Sequence, residues 1–305
     1  MRSTAHAILL LAHGTPEKPG DIPEYMKRVT GGRSIPDEVM QEVTHRYGLI
    51  GRSPLTDIAV MQAEALQKRV HERVYIGMRN WKPFIADTVQ HMIDDGVASA
   101  TVICLAPQNS RTSVGLYRRA VETAANGKIE LDFVQSWHDH PKLIEAFAQR
   151  LRDARAKAPD AKVLFTAHSV PCRTINGQND GDPYSIQCKH TAELVAAAVG
   201  LTQRDWVFAF QSQGMSGGPW IGPTVESTLD ALAAEGSKAV LVQPIGFVCD
   251  HVEVLYDIDI AFREHAAKLG MALTRTESLN DSPLFISALE ELATAGVSKP
   301  TVAAS

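Results

Sequence analysis

The chain has 305 residues, 45% of them hydrophobic and 21% charged, with a formal net charge of -5 at pH 7. This composition is typical of a globular protein long enough for two domains of about 150 residues. The acidic balance argues against nucleic-acid binding, because neutralising phosphates requires a basic face. No run approaches the ~18 apolar residues that a transmembrane helix needs. Four dispersed cysteines without a CxxC pair favour reduced thiols and a cytoplasmic protein.

Short apolar segments rich in β-forming residues recur along the chain, and each is followed by a stretch with helical periodicity. They span residues 7–12, 74–78, 100–106 and 129–134 in the first half, and 162–167, 206–210, 239–244 and 271–275 in the second. Strands that alternate with helices predict βαβ units and a parallel sheet. Their near-continuous apolar character predicts strands covered on both faces.

The ends of these segments match between the two halves. LLLAHGTP (9–16) parallels LFTAHSVP (164–171), and LAPQNS (105–110) parallels VQPIGF (242–247). The repeat predicts two similar doubly wound α/β domains that face each other, at residues 1–140 and 141–305. Because ligands bind beyond the carboxyl ends of the strands in such sheets, we expect the site in the cleft between the halves.

The first half carries a surplus of residues at about 14–55, between its first and second strands. This segment is rich in proline and glycine and contains several basic residues. An insertion that long at a ligand-binding edge is usually a lid or a binding lip.

An acidic turn follows a buried apolar strand in the second half. In PIGFVCDHVEVLYDID (244–259), Asp250, Glu253 and Asp257 fall at i, i+3 and i+7, the spacing of one helix face. Apolar residues between these acids predict a largely buried helix, where carboxylates are costly unless they bind a cation or line water. One interpretation is therefore a track, continued by Asp259, that passes a metal inward. The other is a solvated helix face whose first-turn acids favour the helix dipole.

His168 follows the strand predicted at 162–167, at a strand end equivalent to that of the acidic turn. Two such turns in one sheet can face each other across the mouth of the cleft. An imidazole beside a carboxylate makes a site for a borderline divalent ion such as Fe²⁺, and the same pair can take protons from a substrate. The alternative is a capped structural histidine.

Two loops rich in glycine and proline each contain an aromatic residue. They are GDPYSIQC (181–188) and GGPWIGPTVE (217–226). We expect Trp220 to be exposed at the cleft mouth, which suggests a flat, apolar ligand. Neither GxGxxG nor a P-loop follows any strand, and Ser169 and Ser212 lack a GxSxG context, so nucleotide binding and hydrolase chemistry are disfavoured.

Longer motifs occur in a fixed order along both halves. They are RYGLIGRSPL, GMRNWKPFIAD and LAPQNSRTSVGLY, then AHSVP, GDPY, QSQG, PWIGPTVE, GFVCDHVEVLYDID and SLNDSPLFISAL. Over residues 7–292 this order resembles that of the ferrochelatases. The resemblance implies a class II chelatase-like fold, with two Rossmann-like domains facing a central porphyrin cleft. It also implies a metal chelatase that inserts Fe²⁺ into a porphyrin in haem biosynthesis.

The same resemblance assigns roles in the second half. The family's catalytic histidine falls on His168 and its carboxylate partner on Glu253, and this pair also binds the metal. Asp257 continues the family's acidic row as an outer metal site, but Ala261 stands where many relatives carry another acid.

Residues 14–55 look most like the lip of the soluble coproporphyrin III ferrochelatases. Arginine and hydroxyl donors suit the four propionates of that substrate. The positions that match carboxylate-holding residues of this group are Arg46, Tyr47, Ser53 and Tyr117. The expected substrate-binding set further contains Thr15, Arg33 and Trp220. Thr30 stands where relatives can carry a basic residue, so one propionate contact is either missing or made by Arg33 instead.

His13 is a departure from the soluble group, which typically has tyrosine at this position on the opposite side of the cleft. Imidazole is a good ligand of haem iron. Our hypothesis is that His13 binds the substrate and ligates the product iron, while His168 and Glu253 handle protons and metal entry. The alternative is a capped histidine without a ligand role.

Fe²⁺ is expected as the substrate metal, without the [2Fe–2S] cluster that some relatives bind through clustered cysteines. We expect a monomer that makes transient contacts with neighbouring enzymes of the haem pathway. Three alternatives stay open: a protoporphyrin IX ferrochelatase, a cobalt or nickel chelatase, and a non-enzymatic haem carrier.

Overall fold

The computed structural model describes residues 5–175, 181–213 and 218–297. Every predicted apolar segment forms a strand, and the predicted bounds agree with the observed ones to within three residues. The strands are β1 (Ala5–Ala12), β2 (Arg73–Met78), β3 (Val97–Cys104), β4 (Glu130–Val134), β5 (Lys162–His168), β6 (Trp206–Gln211), β7 (Ala239–Pro244) and β8 (Ala272–Arg275).

The strands form two four-stranded parallel sheets with the same topology. Their orders are β2-β1-β3-β4 and β6-β5-β7-β8. The matching sequence motifs therefore stand at equivalent strand ends, after β1 and β5 and after β3 and β7. The central strands β1 and β5 are buried over most of their length, because helices cover both of their faces.

Helices connect successive strands and cover the sheets. They are α1 (Ile22–Val29), α2 (Asp37–Ile50), α3 (Leu55–Gln67), α4 (Ile85–Asp94), α5 (Val114–Ala125), α6 (Pro141–Arg155), α7 (Cys172–Ile175), α8 (Tyr184–Ala198), α9 (Val225–Ala234), α10 (Val252–Leu255), α11 (Arg263–Lys268) and α12 (Pro283–Val297). A 3₁₀ turn at Pro19–Asp21 precedes α1, and a π-helical segment at Asp257–Phe262 links α10 to α11.

One apolar core runs through both halves. It joins Leu10 of β1 and Phe165 of β5 to Phe147 of α6 and to Phe285 and Leu289 of α12. The last helix, α12, packs on β3, α3 and α6, so the C-terminal part of the chain helps to cover the first sheet. The division at residues 140 and 141 stays a prediction, because the halves share this core.

The insertion at 14–55 is mostly helical and extends from the first half to the second. Ile22 and Tyr25 of α1 pack with Tyr47 of α2 and with Trp81, and Val252 of the second half packs against this cluster. We call α1 and α2 with the 3₁₀ turn the lip. Its inner side is apolar, and this burial fixes it beside the acidic turn.

Within residues 5–175, 181–213 and 218–297, no helix is both long enough and apolar enough to cross a membrane.

Candidate active site

His168 is the last residue of β5 and lies next to the acidic turn because two loops approach each other closely. A Cβ atom at Gly246, just after β7, would lie 2.7 Å from the Cβ of Ala167. Only glycine allows this approach, which brings the chain after β7 against the end of β5. As a result, His168 Nε2 lies 3.2 Å from Glu253 Oε1. On its other side, His168 Nδ1 donates a hydrogen bond to the carbonyl of Ser169.

Glu253 is held in place by two further contacts. His251 Nε2 lies 3.4 Å from Glu253 Oε2, and His251 Nδ1 lies 3.0 Å from the carbonyl of Cys249, which fixes the ring. Gln211 Nε2, at the end of β6, donates to the backbone carbonyl of Glu253 at 2.9 Å. The carboxylate thus lies between two imidazoles, on a turn tied to the neighbouring strand.

The electrostatics of this pair make it an ion pair at neutral pH. Burial alone would lower the pKa of His168, but the charge of Glu253 and its hydrogen bond outweigh burial and raise the pKa to about 9. Burial alone would raise the pKa of Glu253, yet the charge and hydrogen bond of His168 hold it well below its usual range. Both side chains keep 32% of their surface exposed, so an ion or a proton can reach them.

Asp257 follows Glu253 in the sequence and forms a second carboxylate site. Asp257 is 5% exposed and accepts a hydrogen bond from Ser212 Oγ. The backbone of Ser212 has a φ of 60°. A positive φ is uncommon for a residue other than glycine, and residues with this backbone conformation cluster at functional sites. Arg46 Nη1 lies 3.5 Å from Asp257 Oδ1. Burial and the charge of Glu253 raise the pKa of Asp257 to about 6.

The acids of this segment do not form a single track. Asp250 precedes α10 and accepts hydrogen bonds from Ser278 Oγ at 2.7 Å and Asn280 Nδ2 at 3.0 Å. Arg275, on β8, pairs with Asp250 at 3.1 Å and with Asp259 at 2.8 Å. The expectation of one helix face was wrong, because a π-helical turn interrupts the segment and Arg275 pairs with the first and the last of the four acids. Glu253 and Asp257 are the two that face the site.

His13 lies at the carboxyl end of β1, in the position equivalent to His168. Gly14 follows it with a φ of 75°, and a Cβ there would lie 2.9 Å from Trp81 N. His13 Nε2 lies 3.0 Å from Tyr25 Oη and 3.1 Å from Asn80 Nδ2. Burial and the nearby charge of Arg79 lower the pKa of His13 to about 3, so its imidazole is neutral and suited to bind a metal.

Comparison with known proteins agrees with this arrangement. A family model described as Ferrochelatase matches residues 5–297. The chain belongs to the ferrochelatase family. A protein named ferrochelatase from Acidobacterium capsulatum is 54% identical, over 96% of this chain and 95% of the relative. A coproporphyrin III ferrochelatase from Mycolicibacterium vanbaalenii is 37% identical, over 95% of this chain and 89% of the relative.

Solved structures confirm the predicted fold class of this ferrochelatase-family chain. The sirohydrochlorin chelatase SirB from Bacillus subtilis subspecies spizizenii, solved with cobalt, superposes with a TM-score of 0.62. The likeness covers 97% of each chain at 12% identity, so it bears on the fold alone. The predictions of family, fold class and a metal chelatase enzyme are confirmed.

Most residues expected to hold the porphyrin carboxylates lie buried beneath or beside the lip. Thr15 is 2% exposed and its amide donates to Thr56 Oγ1 at 3.1 Å. Ser53 Oγ is buried without a hydrogen-bond partner among the described residues, whereas Tyr47 Oη is buried and interacts with the hydroxyl of Tyr25. Unpaired buried hydroxyls are rare and indicate a missing partner. A ligand carboxylate is one group that could supply it.

The remaining predicted binding residues differ in how exposed their side chains are. Arg33 is exposed, in the loop between α1 and α2, and its Nε donates to the carbonyl of Thr30 at 2.9 Å. Tyr117 is 5% exposed, with the guanidinium of Arg79 5.7 Å from its ring centre. The expectation that Trp220 is exposed was wrong. It is half-buried, its backbone forms a bridge with that of Pro171, and its ring centre lies 6.3 Å from that of His168.

Several residues of this site were not predicted from the sequence. Tyr25, Arg79 and Asn80 surround His13, and the last two directly follow β2 in the motif GMRNW. Arg79 makes no ion pair with any acid among the described residues. Ligands bind beyond the carboxyl ends of the strands in such sheets, and β2 is one of these strands. The same reasoning therefore predicts a role for Arg79 and Asn80. Tyr25 had no such signal, since only the folding of α1 against β1 brings it to His13.

The four cysteines show no disulfide, and three of them, Cys104, Cys188 and Cys249, are buried. That no [2Fe–2S] cluster is bound stays a prediction. Residue 217 of the second glycine-rich loop lies outside the described residues.

Proposed function

We propose that this chain inserts Fe²⁺ into coproporphyrin III, with His168 and Glu253 as the catalytic pair. The observation that carries the proposal is the 3.2 Å contact between His168 Nε2 and Glu253 Oε1 at the carboxyl end of β5, in a chain of the ferrochelatase family. The pair is partly exposed, and the neutral His13 stands at the equivalent end of the other sheet. His168 and Glu253 can thus exchange protons, and His13 can ligate the iron, around one cleft.

Metallation exchanges two pyrrole protons for one Fe²⁺ ion, so the site needs a proton acceptor. With a pKa of about 9, His168 carries a proton at neutral pH in the empty enzyme and cannot accept another. The arriving ion changes this, because its positive charge offsets that of Glu253 and removes the main stabilisation of the imidazolium. Burial then lowers the pKa of His168, its proton leaves, and the neutral ring can accept a proton from the porphyrin.

Asp257 and Ser212 provide a path for the ion toward this pair. Asp257 is buried and lies within range of the charge of Glu253, and both effects raise its pKa. A buried carboxylate whose pKa is raised by a neighbouring carboxylate favours a cation placed near it. Arg46, which pairs with Glu42 at 2.7 Å, also lies 3.5 Å from Asp257, so the incoming ion competes with a guanidinium there.

The choice of coproporphyrin III rests on the polar groups around the lip. Tyr47 Oη, Ser53 Oγ and Arg79 are donors without a matching acid, and carboxylate ligands would satisfy all three. Coproporphyrin III has four propionates and protoporphyrin IX has two, so unused donors favour the former. The resemblance of residues 14–55 to the soluble group and the relative from Mycolicibacterium vanbaalenii add support.

The test is anaerobic metallation by the purified chain, with Fe²⁺ and either porphyrin, followed by visible absorption. Faster turnover of coproporphyrin III supports the proposal, and faster turnover of protoporphyrin IX overturns the substrate assignment. Tight haem binding without turnover of either would favour a carrier instead.

Paired variants localise the preference within the lip. Tyr47→Phe and Ser53→Ala should raise the KM for coproporphyrin III more than that for protoporphyrin IX. Tyr75→Phe is the control, since it removes a hydroxyl that is bonded to Asp95 at 2.7 Å outside the site. A cytoplasmic location, a monomeric state and contacts with other haem-pathway enzymes stay predictions.

A further inference from the structure

A cluster of two histidines and an aspartate lies outside the catalytic site. His138 Nε2 is 3.2 Å from His190 Nδ1, and one possible ligand atom from each of His138, Asp139 and His190 lies within 4.8 Å of the others. Two nitrogens bound to one tetrahedral Zn²⁺ at about 2.0–2.1 Å stand roughly 3.3 Å apart. The observed separation of the imidazole nitrogens therefore suits a shared ion.

Neighbouring hydrogen bonds fix the tautomer of His138. The backbone amide of Asn109 donates to Gln187 Oε1 at 2.6 Å, which orients that oxygen toward the cluster. Ser136 Oγ lies 2.9 Å from the same oxygen and 3.1 Å from the carbonyl oxygen of Pro107. Both can only accept, so the serine gives its one hydrogen to one of them. Ser136 Oγ must then accept from His138 Nδ1, also at 2.9 Å. This leaves the lone pair of His138 Nε2 directed at His190.

This arrangement is the one that metal-binding histidines usually adopt. A ligating imidazole normally donates its other ring N–H to an oxygen that fixes its orientation. The backbone of His138 is fixed too, since Thr191 Oγ1 donates to its carbonyl at 2.8 Å. The nearby His140 does not belong to the cluster, because its Nε2 faces Glu291 at 3.4 Å.

The cluster connects the two halves of the chain. His138 and Asp139 follow β4 of the first sheet, and His190 lies on α8 of the second half. The side chain of His138 is 15% exposed and that of Asp139 is 57% exposed, so solvent reaches the cluster and can supply a further ligand. None of the three residues contacts His168 or Glu253.

We propose that His138, Asp139 and His190 form a second metal site, which binds a borderline divalent cation such as Zn²⁺ or Co²⁺. Two imidazoles and one carboxylate are ligands typical of these ions, and a water molecule completes four-coordination. The competing arrangement has no metal: His190 Nδ1 donates its hydrogen to His138 Nε2, and the ring pair is a local hydrogen bond only.

The experiment measures Co²⁺ and Zn²⁺ binding to the full chain carrying His168→Ala and Glu253→Gln, which disable the catalytic pair. Equilibrium dialysis gives the stoichiometry and affinity, and the visible d–d absorption of Co²⁺ reports nitrogen and oxygen ligands in tetrahedral geometry. We expect one ion per chain with a tetrahedral spectrum. No binding, or binding with the spectrum of hydrated Co²⁺, would overturn the proposal.

Variants of the cluster identify the ligands. In the same background, His190→Ala should abolish the tetrahedral spectrum, and Ser136→Ala, which removes only the orienting oxygen, should weaken affinity by about 10- to 100-fold. His265→Ala is the matched control, because its Nε2 pairs with Asp230 at 2.8 Å on the surface without a second imidazole. The proposal fails if His190→Ala and His265→Ala bind Co²⁺ equally well.

Discussion

Replacing Glu253 by glutamine tests whether the carboxylate sets the protonation state of His168. The substitution keeps the size of the side chain and removes its charge. Because burial then acts on His168 without its main opposing charge, its pKa should fall from about 9 to below its ordinary value of 6.5. At pH 7.5 the charged fraction of the ring would drop from about 97% to less than about 10%.

The titration of His168 can be followed by NMR of the chain with ¹⁵N-labelled histidine, with His168→Gln used to assign the resonance. In parallel, the metallation rate should fall by about 10²- to 10⁴-fold, the usual contribution of positioned acid–base groups. Porphyrin affinity should change little, since the proposed carboxylate contacts lie at the lip. Glu264→Gln, an exposed acid on α11, is the control and should change neither quantity.

Two outcomes would contradict this reasoning. A resonance of His168 that still titrates near pH 9 in Glu253→Gln would show that another group raises its pKa. Near-normal metallation by that variant would remove Glu253 from the mechanism, whatever the titration shows.

Two further predictions concern the first half of the cleft. His13→Ala should change the visible spectrum of the bound metallated product more than the insertion rate, and an unchanged spectrum would mean that His13 does not ligate the iron. Arg79→Gln should raise the KM for coproporphyrin III by roughly 10- to 100-fold with little change in kcat, the loss expected for a hydrogen bond to a charged group. An unchanged KM would exclude Arg79 from binding the propionates.

The fold was largely predictable because its signals are local. Apolar runs such as 7–12 and 162–167 are long enough to be strands and too short for buried helices. The match between AHGTP and AHSVP placed His13 and His168 at equivalent strand ends before any contact was known. Family resemblance then singled out Glu253, and the structure places it next to His168.

The remaining features of the site depend on contacts between distant parts of the chain. The spacing of Asp250, Glu253 and Asp257 suggested one helix face, but Arg275, on a strand that comes later in the sequence, pairs with Asp250. The helical spacing of acids in a sequence predicts neither such a partner nor the π-helical turn that begins at Asp257. Tyr25 is a similar case, because its contact with His13 exists only when α1 folds over the end of β1.

The high pKa of His168 has a consequence for the whole proposed cycle. Before the ion arrives, His168 pairs with Glu253, and Arg46 lies between Asp257 and Glu42. Fe²⁺ replaces the proton of His168 on arrival, and the ion then moves into the macrocycle as the pyrroles lose their protons. Once the ion has left Glu253, that carboxylate again stabilises the imidazolium, so His168 accepts one pyrrole proton and the second passes to the solvent that reaches the partly exposed pair. The carboxylate that attracts the metal thus also favours removal of the protons that the metal displaces.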